Sequence, residues 1–118
     1  MANELLSRNF VAGAAIGAFR IVKFDTTDGT VIQAAAASDL SIGVCNSVGP
    51  ASGERVDVVV VGIADVEFGG TVTRGAMVTS DASGKGVAAA STNRAIGIAQ
   101  VSAVAGDIAP VLIAPSVM

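Results

Sequence analysis

The chain has 118 residues, 52% of them hydrophobic but only 3% aromatic: 22 Ala and 18 Val stand against four Phe, and there is no Trp, Tyr or His. The length fits one domain, and the apolar fraction excludes intrinsic disorder. A formal charge of −3 on a chain with 14% charged residues leaves no basic face for nucleic acid, while the lack of His and the single Cys remove most catalytic and metal chemistry.

Residues 1–16 read as an N-terminal arm. Asn3-Glu4-Leu5-Leu6-Ser7-Arg8-Asn9-Phe10 carries apolar anchors at Leu5, Leu6 and Phe10 beside Arg8, which fits a segment that orders by adding to a partner's sheet edge or groove. A frayed terminus is the plainer alternative. Phe10 to Phe19 has some likeness to a signal h-region, but Glu4 precedes it and Arg20 and Lys23 follow where cleavage belongs,. The stretch is also shorter than the about 20 apolar residues of a membrane span, so the chain is expected to be soluble and unprocessed.

Residues 17–118 read as a single β domain. β-branched runs between Gly, Asp and Ser clusters predict strands over Phe19–Phe24, Thr30–Ala34, Ser41–Asn46, Arg55–Phe68, Met77–Ser80, Gly86–Ala89, Ala95–Ser102 and Asp107–Ile113,. Hairpin chemistry stands at Asp25 to Gly29 and at Asp81 to Gly86, and further turns at Gly49 to Gly53 and Ala105 to Asp107,. The run Ala34 to Ala37 is too short to nucleate a helix, and Ser38-Asp39 fits a single turn. Cys45 lies in a strand with no basic neighbour and reads as a buried small hydrophobe.

The order of these features repeats. Gly17-Ala18-Phe19, Asp25, Gly29 and Val31 are echoed by Gly75-Ala76-Met77, Asp81, Gly86 and Val87; Ile42-Gly43-Val44 and Gly53-Glu54 by Ile96-Gly97-Ile98 and Gly106-Asp107. Offsets of 58, 54 and 53 at Gly17/Gly75, Gly43/Gly97 and Gly53/Gly106 predict two similar halves, about 17–68 and 70–115, with no counterpart for the arm. Two half-barrels closing on each other remove exposed strand edges. The expected fold is therefore all-β: a small barrel or barrel-like sandwich of two halves, preceded by an extended arm, with the glycines of the two Ile-Gly pairs at bulges or close backbone approaches.

No zinc spacing, phosphate loop or triad can be assembled, so no catalytic, cofactor-binding or metal residue is predicted, and the chain reads as a non-enzyme without cofactor. Asp65 and Glu67 share a strand face, where a solvated or interface stripe is the plain reading and a tuned acid the sharper one. Lys85 at a hairpin tip has some likeness to the modified lysine of lipoyl and biotinyl carrier domains, but lacks their hydrophobic-Lys-hydrophobic setting; an exposed turn lysine is the simpler reading. With soluble surfaces carrying about 25–35% charged residues, a chain at 14% is expected to have part of its surface covered by other chains. A monomer with an Ala/Ser/Thr surface is the alternative.

Four segments in this order, Val61 to Val66, Thr73 to Val78, Ala95 to Ala99 and Ala105 to Val111, resemble the phage head decoration, or capsid cement, proteins over about residues 10–115. The resemblance implies a small β-barrel that trimerises at threefold or quasi-threefold positions on the outer surface of a phage head. It also implies an N-terminal arm that engages the major capsid protein and a shell made more stable; from the arm's own residues, Leu5, Leu6, Arg8 and Phe10 are the contacts expected. It carries no catalytic residue. The partners expected are thus the major capsid protein and the chain itself, with neither nucleic acid nor membrane; a tail or fibre module of a virion is the alternative role.

Overall fold

The computed structural model describes residues 4–36, 41–45, 51–89 and 94–117. Among them run nine strands and no helix: β1 (Glu4–Ala12), β2 (Ile21–Phe24), β3 (Thr30–Gln33), β4 (Ser41–Cys45), β5 (Arg55–Glu67), β6 (Met77–Ser80), β7 (Gly86–Ala88), β8 (Arg94–Ala99) and β9 (Ile108–Val117). Eight match the strands expected from the sequence. Ala34 to Ala36 are not helical; Ala37, the Ser38-Asp39 turn and Gly49-Pro50 lie outside the described residues.

The ninth strand, β1, is the segment expected to stand apart as an arm. It pairs antiparallel with β5 from Glu4↔Gly62 to Val11↔Arg55, and parallel with β3 at Val11↔Thr30 and Ala12↔Val31. These pairings close β1-β3-β2-β4-β5 into a five-stranded barrel, which removes its edges. The sheet continues from β5 through β9, β8, β6 and β7. A parallel bridge between Phe68 and Gly86 brings β7 back to the end of β5.

β5 serves both parts. In its first half Val56 and Val58 are buried between exposed Arg55 and Asp57; in its second, Ala64 and Val66 are buried between half-buried Ile63, Asp65 and Glu67. Gly62, at φ 113°, lies between them and is the residue where β5 passes from β1 to β9. A left-handed bulge there re-aims the alternation of side chains.

Backbone hydrogen bonds redraw the repeat. Ala12 N donates to Glu54 O (2.8 Å) and its carbonyl accepts from Gly53 N (2.7 Å); Phe68 N donates to Asp107 O (2.7 Å) and its carbonyl accepts from Gly106 N (2.8 Å). Gly13 N to Val31 O (2.8 Å) is matched by Gly69 N to Gly86 O (2.9 Å). β1 therefore has a counterpart after all, the second half of β5, and the division expected between residues 68 and 70 falls inside one repeat. The first repeat runs from β1 to the first half of β5, the second from the second half of β5 to β9. The register Ile21↔Val44↔Val59 recurs as Met77↔Ile98↔Leu112.

Two glycine matches shift as well. Gly75 (φ 90°) corresponds to Phe19 (φ 60°), 56 positions earlier, rather than to Gly17; Gly84, rather than Gly86, takes the left-handed place of Gly29. Gly43 and Gly97 hold their expected roles at close approaches: a Cβ on either would collide with a carbonyl oxygen of the neighbouring strand, Val59 and Leu112 respectively.

The two interiors use the same positions with exchanged volumes. The first barrel encloses Phe10, Ala12, Ile16, Val22, Val31, Cys45, Val56 and Val58. At the corresponding places the second has Val66 for Phe10, Phe68 for Ala12 and Gly86 for Val31, and a Cβ on Gly86 would sit 3.4 Å from the Phe68 ring. One phenylalanine per barrel fills the space left by a small neighbour, as dense packing requires.

Candidate functional site

The residues expected at the capsid contact do not share one environment. Phe10 is buried at 4% exposure and stacks edge-on to Phe24, with ring centroids 5.9 Å apart. The exposed Arg8 guanidinium lies 5.3 Å from the Phe10 ring centroid, within cation–π range. Exposed Asn9 donates to Asp57 Oδ1 at 3.0 Å. The backbone of Leu5 and Leu6 lies where β1 shifts register against Gly62 and Val61 of β5. The N-terminal segment is thus a wall of the barrel: Arg8 and Phe10 pair with Val58 and Val56 on the interior face, Arg8 exposed and Phe10 buried, while Asn9 pairs with exposed Asp57 on the outside.

The second candidate cluster surrounds Glu67 at the end of β5. Arg20 Nη2 and Lys85 Nζ lie 3.3 and 3.5 Å from its two carboxylate oxygens, and Arg20 Nη1 donates to Ser83 O at 2.9 Å. The Asp81 carboxylate shapes the hairpin by accepting from Ser83 N (2.8 Å) and Lys85 N (2.9 Å). Lys85 is therefore a half-buried partner of Glu67, not the exposed turn lysine of the simpler reading, nor free as a carrier lysine must be. Glu67 in turn ties the first repeat's Arg20 to the second repeat's Lys85, while half-buried Asp65 lies opposite Pro110 of β9. Among the described residues no cluster of three or more His, Cys, Asp or Glu is placed to hold a metal. Burial, with the charge of Asp57 adding, pushes the Cys45 thiol up to about 11, as expected for an inert core cysteine.

A third feature is one that sequence reasoning missed: an outward apolar row on the second repeat. Ile98 and Leu112, each 39% exposed, pair directly; half-buried Met77 and Ile63 flank them on β6 and β5. Ile108, at 52%, continues β9. The available signal was apolar residues on both faces of a strand, as in Ile96-Gly97-Ile98 and Val111-Leu112-Ile113, which marks a strand covered on both sides.

Neither a scan against protein families nor a search of curated proteins finds a match for this chain. Among solved structures it is similar to the head fibre gp8.5 N base of bacteriophage phi29, with a TM-score of 0.74 at 19% identity, over 96% of this chain and 97% of that one. The two share a fold. The agreement spans both repeats, including the barrel closed by β1.

Proposed function

We propose that this chain is a structural protein of a bacteriophage virion. It binds the major capsid protein on the outer surface of the head and stabilises the shell as a homotrimer at threefold or quasi-threefold positions, without catalysis or cofactor. The observation that carries the reading is the full-length likeness in fold to a phage head fibre base, which agrees with the ordered segments that resemble decoration proteins. A chain with 14% charged residues that exposes Val61, Ile98, Val104, Ile108 and Leu112 suits a module whose faces are covered by neighbours, and many weak contacts repeated over a shell add up to tight binding. The same structural likeness favours a second reading, in which the chain is the base of a head fibre.

Immunogold labelling of intact particles tests both. Label close against the head supports decoration, label on head-attached fibres supports the fibre base, and label confined to tails or absent from particles contradicts both. The proposed contact through Leu5, Leu6, Arg8 and Phe10 is approached through Arg8, because deleting residues 2–10 removes most of β1 and buried Phe10 with it. Arg8→Glu is expected to lower head binding in a pelleting assay while the melting temperature stays near that of the parent. Undiminished binding takes Arg8 out of the contact.

A further inference from the structure

The internal repeat supplies a pattern for covering the exposed row on β6, β8 and β9. Met77, Ile98 and Leu112 occupy the register positions that Ile21, Val44 and Val59 hold in the first repeat. There the three residues are fully buried, each at 0% exposure, whereas Ile98 and Leu112 are 39% exposed. The difference is the neighbour. Ile21, Val44 and Val59 belong to one continuous buried cluster with second-repeat residues, and β4 packs against β8 and β9.

Most second-repeat members of that cluster correspond to the interior of the first barrel, so they fill the second repeat's own interior. Ile96 and Ile113 do not. They are the bulky second-repeat residues left in the cluster that also holds the first repeat's row, on the strands β8 and β9 that β4 packs against, at 0% and 1% exposure. Their counterparts in the first repeat are Ile42 and Val60, by offsets of 54 and 53, and both are only half-buried. The chain thus buries one copy of an apolar contact internally and leaves the two halves of a second copy unjoined: the exposed row, and half-buried Ile42 and Val60, which pack on the first interior.

We infer that the Met77–Ile98–Leu112 row of one chain docks against Ile42 and Val60 of a second copy, repeating the contact between the chain's own two repeats. Such a contact is heterologous: it joins different surfaces and therefore closes into a ring or runs on as a filament. It deepens the homotrimer proposed above, in which three chains place six repeats in a closed ring. Ala64, also a member of that cluster, has exposed Arg8 as its counterpart 56 positions earlier, so the contact between copies carries a cation that the internal one lacks.

Sedimentation equilibrium of the full chain is the first test. The parent is expected to sediment as a trimer, and Leu112→Asp and Ile98→Asp to fall threefold, to the 11.5 kDa of one chain, with an unchanged circular dichroism spectrum. A parent that is monomeric at every concentration, or an oligomer that folded forms of both variants keep, overturns the inference. Disulfide cross-linking supplies a readout on an unweakened interface. A chain with Ile98→Cys is expected to link to a chain with Val60→Cys, and neither to itself; buried Cys45 does not compete. Efficient self-linking of Ile98→Cys marks a face-to-face dimer and overturns the inference. A chain that labels heads yet stays monomeric sinks this interface alone, whereas a head-to-tail oligomer that never labels particles sinks the virion placement alone.

Discussion

Gly43 and Gly97 carry the tightest backbone constraints of the sheet, because a Cβ at either would fall on a carbonyl oxygen across the ladder. Backbone cannot yield as a flexible side chain does, so Gly43→Ala and Gly97→Ala should each cost at least about 1–3 kcal/mol, the usual range for overpacking. Thermal melts should show this as a drop of several degrees; melts matching the parent would place β4 and β8 farther from their neighbours than described. Cys45 makes a different prediction. Its thiol titrates near 9.0 when unfolded and is raised to about 11 by burial. Between those values the unfolded chain has lost the proton that the folded chain keeps, so this group's contribution falls as pH rises from about 9 toward 11 and is flat below. The native thiol should accordingly resist alkylation at neutral pH and react once denatured. Both roles were legible beforehand: Ile-Gly-Ile and Ile-Gly-Val within strands mark close approach, and a cysteine without basic neighbours reads as core.

The eight strands read from the sequence are those whose β-branched runs lie between Asp/Gly turns, since those signals are local. β1 escaped because Glu4 to Asn9 contains no β-branched residue, and its partner lies some fifty residues away in β5. Its role in the repeat was hidden for a related reason. Shared glycines were used as landmarks, but conformation is kept where identity is not, as with Phe19 and Gly75. With β1 in the barrel wall, Phe10→Ala should cost about 3–5 kcal/mol, measured by urea unfolding; a loss below about 1 kcal/mol would mean that the barrel holds without this wall. The Glu67 junction contributes far less. Its pairs with Arg20 and Lys85 are partly solvated, each charged side chain being 20–31% exposed, so Glu67→Ala should lower stability by about 1 kcal/mol or less, and less again in high salt. A salt-independent loss would point to packing rather than charge.

At the scale of the molecule, a chain with 14% charged residues was expected to be covered in part by others, and the proposed contact between copies gives that cover a place. What composition could not locate was the row itself. Met77, Ile98 and Leu112 are separated by 21 and 14 positions and become neighbours only through sheet pairing, so no local motif joins them. The predicted arm contacts differ in burial for the same reason: exposed Arg8 and buried Phe10 share one face of β1, and which of them the barrel encloses is set by its closure, which lies beyond local sequence. The account's central claim is that this is a head-bound module joined to its own copies end to end. A cryo-electron microscopy reconstruction of particles carrying the chain tests it most directly. The account predicts density on the outer face of the head, three chains to a ring, with the β6–β8–β9 row of each covered by β4 and β5 of the next. Density confined to the tail, or head-bound copies whose apolar rows stand open to solvent, would contradict it.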